Sequence, residues 1–406
     1  MTGTPALCLD LTRLIRRAGV AHPTGIDRVE RAWMRMLLSR SDVDAWGLVR
    51  VGGRLAVLDR AGLRALDKRL RDGGPWAEAG IAARLKRRDP AVARAQATVR
   101  RLAVQVVPAL GLGAALPPGT RYLNVGHSNL EHSVFAGLET VPNVRTLVLI
   151  HDTIPLDFPH HQRAGTVERF RDRLTAAIRH ADRIVVPSRT VVDDLARHAA
   201  TVGPLPEVIV APLGLDLAPP AGLPDLPHDR PYFLSLGTIE PRKNHARLLD
   251  LWEDFHATLP EAAIPRLFVV GRRGWRNEAV FARLDGLPFM GQTVIELDDI
   301  DDGTLSALLS GSAGLLHPSL AEGFGLPPHE AAALGVTPVC APLAVYRETL
   351  GDAAVYADPD DLYQWRKIVL ELAERDRAGQ GTTGSGRGYN PPAWEAHFKL
   401  ALTTFC

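Results

Sequence analysis

Short apolar runs separated by helical patterns constrain this chain more than any other feature. ALCLDL (6–11), WGLVRV (46–51), RYLNVG (121–126), TLVLIHD (146–152), RIVVPS (183–188) and VIVAPLG (208–214) form a first series. YFLSLG (232–237), RLFVVG (266–271), TVIELD (293–298), GLLHPS (314–319) and TPVCAP (337–342) form a second. Most are continuous in Val, Ile and Leu, the pattern of strands buried on both faces of a parallel sheet. Helical stretches such as 166–181 and 188–200 lie between them, so the expected class is α/β with doubly wound sheets. The alternation breaks at LAPPAGLPDLPHDRP (217–231), which is proline-rich and aperiodic, and restarts directly after it. That is the signature of an interdomain linker. We expect a first Rossmann-like domain over 1–216, a linker over 217–231 and a second such domain over 232–385. A flexible connector, GQGTTGSGRG (379–388), leads into a terminal helix within 386–406 that returns toward the first domain.

Bulk properties narrow the function classes. A length of 406 residues favours two domains. A formal charge of +1 argues against nucleic acid as the main partner. Cys8, Cys340 and Cys406 are scattered, without metal-ligand spacing, which points to a reducing compartment. The N-terminal MTGTPALCLDLTRLIRR lacks the basic-then-apolar order of a signal peptide, and no apolar run approaches the roughly 20 residues that span a bilayer. The expectation is a cytoplasmic protein, with a peripheral position on the inner face of the membrane left open. Residues 60–104 carry twelve Arg and Lys against four acidic residues, Arg84, Lys86, Arg87, Arg88, Arg94, Arg100 and Arg101 among them. Two readings stand: an insertion with a solvated basic helix face, or a surface that docks on anionic lipid or a lipid-diphosphate acceptor. Ile81, Leu85, Val92, Val99 and Leu102 lie among these charges and keep the second reading open.

Two motifs carry chemistry. In LGTIEPRKNH (236–245) a strand ends at Gly237, and Arg242 and Lys243 sit where the next helix begins. Ligands of open α/β sheets bind beyond the carboxyl ends of the strands. A helix N-terminus with two cations there suits a diphosphate, although such a pair is also a common solvated helix start. In SLAEGFGLPPHEAAALG (319–335) a glycine turn lets a ligand approach the backbone, and a helix starts near Pro327 or Pro328, with Gly335 as its C-cap. Glu330 in the early helix can accept two hydrogen bonds from a ribose diol, and Glu322 stands where a sugar ring would be. Alone, the two glutamates could equally serve the helix dipole.

These segments resemble the retaining family-4 glycosyltransferases of GT-B fold. LGTIEPRKN, VVGRRGW (269–275) and HPSLAEGFGLPPHEAAALGVTPV carry the resemblance, and Glu322 and Glu330 match that family's Glu-x7-Glu motif. LVLIHDTIPLDFP, ADRIVVPSRTVVDDL, VIVAPLGLD and the opening DLTRL…PTGIDRVERAW extend it into the first half, and the last of these places Gly25 on the loop after the first strand. The match covers most of residues 6–375 and leaves out 60–104. It implies two facing Rossmann-like domains with a donor cleft between them. Lys243 and Arg242 would hold the donor diphosphate, Glu330 the ribose, and Glu322 would face the transferred sugar together with Gly323, Phe324 and Gly325. Gly25, Gly237, Thr238, Leu326 and Arg272 complete the donor set. His151 matches the family's active-site histidine. One departure stands out: Thr238 occupies a position where many members carry arginine, so Arg242, Arg272 or Arg273 would have to supply that charge.

The implied reaction moves a hexosyl group from a nucleotide-diphosphate sugar to a saccharide or lipid-linked saccharide acceptor in bacterial surface-polysaccharide assembly. It needs neither cofactor nor metal, and retains anomeric configuration. IEPRKN, GRRGW and HDTIP resemble bacterial surface-polysaccharide mannosyltransferases, which makes GDP-mannose the best single donor. Two other readings share the fold: a nucleotide-sugar 2-epimerase, and a catalytically silent nucleotide-sugar-binding subunit of a polymer-assembly complex. Asp299 and Asp301 could hold a metal in a different glycosyltransferase fold, but here Asp302 is placed to cap a helix. His127, His132, His160 and His161 lack zinc spacing. Trp275 reads equally as packing or as a base-stacking platform, and Asp152 as the cap of a turn.

Overall fold

A computed structural model describes residues 4–20, 24–78, 89–223, 226–227, 229–298, 300–380 and 388–405. The first half builds one sheet from β1 (Ala6–Asp10), β2 (Asp44–Val51), β3 (Arg54–Leu58), β4 (Gln105–Val107), β5 (Arg121–Asn124), β6 (Arg145–Leu149), β7 (Arg183–Val186) and β8 (Glu207–Val210). The order is β4-β3-β2-β1-β5-β6-β7-β8. Strands β2, β1, β5, β6, β7 and β8 run parallel, whereas β3 pairs antiparallel with both β2 and β4. The second half builds another sheet from β9 (Tyr232–Leu236), β10 (Arg266–Val270), β11 (Val294–Leu297), β12 (Gly314–His317), β13 (Pro338–Cys340) and β14 (Val355–Tyr356). Its order is β11-β10-β9-β12-β13-β14, parallel throughout. Every residue of β1, β7, β9, β10 and β12 is buried, which accounts for their continuous apolar sequence.

The basic stretch 60–104 is built into the first domain. Helices Arg60–Asp72 and Pro90–Leu102 pack on the sheet through Leu63, Leu66, Ala95 and Val99, all with no exposure. Their arginines, including Arg64, Arg71, Arg94, Arg100 and Arg101, stay on the outer faces. Val99 therefore serves the core and is unavailable to a membrane face. Ile81, Leu85, Arg84, Lys86, Arg87 and Arg88 lie outside the described residues, as do Asp299, Cys406 and most of the 379–388 connector. The β2–β3 hairpin turns on Gly52 and Gly53, with Gly52 at φ +72°. A two-residue Gly-Gly loop supplies that backbone without a Cβ penalty.

The final helix, Trp394–Leu402, is fastened to the first half. Trp33 Nε1 donates to His397 Nε2 at 3.2 Å, so the ring proton sits on Nδ1, which donates to Ala211 O at 3.0 Å. Arg183, fully buried in β7, donates to Ala401 O and Thr403 O at 2.9 and 2.7 Å. Among the described residues no helix is long and apolar enough to cross a membrane.

Candidate active site

The second sheet reverses its strand order between β9 and β12, and that switch point gathers the chemistry. After β9 a 3-10 turn, Pro241–Lys243, precedes the helix His245–Thr258, so Arg242 and Lys243 lie one turn before the α-helix. After β12 the chain passes through Glu322-Gly323-Phe324-Gly325 into the helix Leu326–Ala333. Glu322 Oε1 accepts from Lys243 Nζ at 2.5 Å and lies 2.7 Å from Arg242 Nη1 and 3.3 Å from His317 Nε2. Burial pushes the Glu322 carboxyl up, but Arg242 and Lys243 outweigh it and hold it well below the usual range. The charged carboxylate and its cations thus form one buried knot. His317, at the end of β12, is held near 4 by burial and by Lys243. It remains neutral at pH 7.

Arg242 is fully engaged. It also bonds Glu240 Oε1 at 2.8 Å and Ala321 O at 2.7 Å, which braces the Glu322 loop against the 241–243 turn. Arg273 is bound to Glu296 and Asp285, at 2.7 and 2.6 Å. Arg272 instead lines the cleft, exposed and without a carboxylate partner among the described residues. Of the cations considered for the charge missing at Thr238, Arg272 is the one left uncommitted.

Both glycines of the loop are required. Gly325 has φ +83°, and a Cβ there would fall 2.4 Å from the Tyr346 ring. A Cβ on Gly323 would lie 2.0 Å from His151 O and 2.8 Å from Asp152 Cβ, on the opposite half, so the loop packs on the first domain too closely for a side chain there. His151 follows β6. Its Nε2 donates to Val125 O at 2.8 Å, leaving Nδ1 unprotonated, and burial lowers the ring to about 4. The Asp152 carboxyl accepts from Ile154 N at 3.1 Å, capping the turn; burial raises it to about 6 against the pull of Arg242.

Further bonds hold the halves together around the cleft. Ser188 Oγ donates to Gly323 O at 3.3 Å. The Glu348 carboxylate accepts from Arg189 N at 2.6 Å and Thr190 N at 3.0 Å, at the start of the helix Arg189–Ala199. Trp275 Nε1 donates to His161 O at 2.9 Å, so this tryptophan both lines the cleft and ties across it. Arg28 Nη2 reaches Glu330 Oε1 at 2.5 Å, an ion pair whose angle leaves that oxygen without a well-formed hydrogen bond.

The resulting cleft holds about 520 Å³. His151, Arg242, Lys243, Glu322, Glu330, Gly25, Gly237, Thr238, Arg272, Gly323, Phe324, Gly325 and Leu326 all line it. Gly25 differs from expectation in one respect: it opens the helix Gly25–Ser39 instead of lying on a loop, because Thr24 and Asp27 close a capping box there. The cap of the helix Asp302–Ser310 is Asp301, whose carboxylate accepts from Gly303 N and Thr304 N at 2.9 Å; Asp302 stands inside the helix and lines the cleft.

Residues 224–376, which contain the β9–β12 switch point, match the family model "Glycosyl transferases group 1". These residues are a group 1 glycosyltransferase domain. The chain is 31% identical over 247 residues to the serotype-specific mannosyltransferase WbdA of Escherichia coli, covering 56% of this chain and 30% of that protein. It is 32% identical over 157 residues to the O-antigen chain mannosyltransferase B of E. coli, covering 38% and 40%. It is 23% identical over 251 residues to RfbU, an O-antigen chain mannosyltransferase of Salmonella typhimurium, covering 58% and 63%. The chain therefore spans less than a third of the length of WbdA. Among solved structures, sucrose-phosphate synthase of Thermosynechococcus elongatus superposes with TM-score 0.64 at 18% identity, covering 99% of this chain and 97% of that one. Anabaena HepE in complex with UDP-glucose gives 0.60 at 14%, covering 97% and 95%. The fold is GT-B: two facing Rossmann-like units.

The glycosyltransferase domain supplies the motif-bearing wall, and the facing wall brings cations that the sequence reading passed over. Arg13, Arg17 and Arg28 line the cleft from the first half. Asp27 receives Arg13 Nε at 3.0 Å and Arg17 Nε at 2.6 Å. Arg13 and Arg17 follow the end of β1 at i, i+4 spacing, so the strand-end rule applied to β1 would have found them.

Proposed function

We propose that the chain transfers a hexosyl group from a nucleoside-diphosphate sugar to a saccharide or lipid-linked saccharide acceptor in bacterial surface-polysaccharide assembly, with mannose from GDP-mannose as the donor group. The Lys243–Glu322 knot at the strand switch point, inside the matched glycosyltransferase domain, carries this reading. The mannosyltransferases among its relatives support the choice of sugar. The scattered, buried Cys8 and Cys340 support a cytoplasmic reaction.

In this account the glycosidic C–O bond to the diphosphate breaks as an acceptor hydroxyl attacks the same face of the sugar. The hydroxyl proton passes to a departing phosphate oxygen, so configuration is retained without an enzyme nucleophile. Lys243 and Arg272 meet the charge of the leaving diphosphate, assisted by the N-terminus of the helix Leu326–Ala333, and no metal is called on for that task. Glu322 orients Lys243 and faces the sugar. Glu330 holds the ribose. His151, neutral at pH 7, offers Nδ1 as a hydrogen-bond acceptor to a sugar or acceptor hydroxyl.

Release of nucleoside diphosphate from a panel of nucleotide sugars, with and without oligosaccharide acceptors, tests the reading. The purified chain should turn over one donor, and Glu322→Ala should lower that rate by about 100-fold or more. Absence of turnover across the panel, or an undiminished rate in Glu322→Ala, would refute it.

A further inference from the structure

A second cavity of about 360 Å³ lies in the first half, next to the donor cleft and sharing Arg17 and Val20 with it. Arg17, Arg31, Arg69, Arg71, Trp76 and Asp27 stand in its wall. Four guanidinium groups thus face one lining carboxylate, and Asp27 is already committed to Arg13 and Arg17. Arg69 Nη1 donates to Ala65 O at 2.9 Å, and Arg71 reaches Asp67 at 3.0 Å from a largely exposed position. Among the described residues Arg31, which is half-buried, has no carboxylate partner, and its Nε has no hydrogen-bond partner. Four guanidinium groups around one committed carboxylate leave an excess of positive charge in the wall, which favours an anion in the cavity. Trp76 provides a flat apolar wall next to these donors, the mixture typical of a small-molecule site.

We propose that this cavity is an anion subsite for the acceptor: it takes a phosphoryl group carried by the acceptor, with Arg31 and Arg71 donating to its oxygens and Trp76 against the adjoining group. Because Arg17 and Val20 line both cavities, a saccharide anchored here extends into the cleft where the donor sugar is transferred. The inference rests on the glycosyl-transfer reading above. It gives Arg69 and Arg71, in the last turn of the helix Arg60–Asp72, a defined ligand chemistry, a phosphoryl group in a cavity.

Calorimetry on protein saturated with GDP, which fills the donor cleft, tests the subsite with inorganic pyrophosphate, a hexose 1-phosphate, a short-chain prenyl diphosphate and a neutral methyl hexoside. The phosphorylated probes should bind at least about tenfold more tightly than the neutral one. The doubly substituted Arg31→Ala/Arg71→Ala protein should lose about tenfold or more in that affinity, with its melting temperature and donor hydrolysis unchanged. Arg31→Lys, which keeps the charge without the planar fork, should fall between. Tighter binding of the hexose 1-phosphate assigns the phosphoryl to a sugar; tighter binding of the prenyl diphosphate assigns it to a lipid carrier. Equal affinities in the native and doubly substituted proteins would overturn the subsite. Donor hydrolysis without probe binding would remove the subsite and leave glycosyl transfer standing, whereas loss of donor hydrolysis in the native protein would remove the parent reading.

Discussion

Arg28 and Glu330 meet across the cleft at 2.5 Å, joining the helix Gly25–Ser39 of the first half to the helix Leu326–Ala333 of the second. The carboxylate proposed to hold the donor ribose is thus already paired with a cation from the facing wall. Arg28 also donates to Asp216 O at 3.1 Å, on the connection between the halves. On that proposal a nucleotide replaces the Arg28 contact with its own hydroxyls. Titration calorimetry with GDP should show Glu330→Gln weakening binding by about 10- to 100-fold, the worth of hydrogen bonds to a charged group. Arg28→Ala should leave affinity unchanged or raise it by roughly threefold, since no ion pair is then broken. A larger loss in Arg28→Ala than in Glu330→Gln would make Arg28 itself the ligand.

Gly323→Ala tests the closeness of the halves. Its methyl would sit 2.0 Å from His151 O, and backbone on both sides leaves nothing flexible to yield. The halves must separate locally. Turnover should fall by about tenfold or more, because small misplacements of reacting groups are costly, while GDP affinity changes little. Unaltered turnover would show that the cleft works in a wider form.

Arg272 and Arg242 should separate in their effects. Arg272→Ala removes an exposed cation with no carboxylate partner among the described residues, so the melting temperature should hold while GDP affinity drops by about tenfold. Guanosine affinity should not change. Arg242→Ala leaves Glu322 and Glu240 facing each other with less compensation, and should lower the melting temperature as well. The reverse pattern would transfer the diphosphate contact to Arg242.

Acid should loosen the terminal helix through His397. Burial lowers this ring from 6.5 to about 4, and Trp33 fills the nitrogen a proton would take. Between those values the unfolded chain binds a proton that the folded chain refuses. Stability is therefore complete above about pH 6.5 and is lost as pH falls toward 4, by on the order of 3 kcal/mol from this residue. His151, His317 and His329, each held near 4, act in the same direction; Asp152, raised to about 6, acts in the opposite one. Urea midpoints from pH 7.5 down to 4 should decline steeply in the native protein and less steeply in His397→Gln. Parallel curves would contradict the assignment.

The second half was legible because its chemistry is local. Lys243 lies seven residues beyond β9 and Glu322 five beyond β12, so strand ends, glycines and charges appear as contiguous motifs. The opposite wall was harder to read. Arg28 reaches Glu330 through the docking of two domains, and no short-range pattern encodes that pairing. Residues 60–104 concealed two core helices because arginine-rich outer faces dominate the composition, while Leu63, Leu66 and Val99 carry the helical period beneath. The Gly52-Gly53 turn was a readable hairpin signal with a helix and a second antiparallel strand behind it. Asp301 and Asp302 show the usual one-residue ambiguity of a cap, resolved by which carboxylate bonds the free amides.

A thermal-shift comparison of GDP-mannose with other GDP-, UDP- and dTDP-sugars, run on the native protein and on Lys243→Ala and Glu330→Gln, bears most directly on the donor cleft. Ligand at 100 times its dissociation constant adds about 2.7 kcal/mol of stability. GDP-mannose should raise the melting temperature most, with the shift largely lost in both variants. No shift with any nucleotide sugar, or equal shifts in native and substituted proteins, would contradict the account.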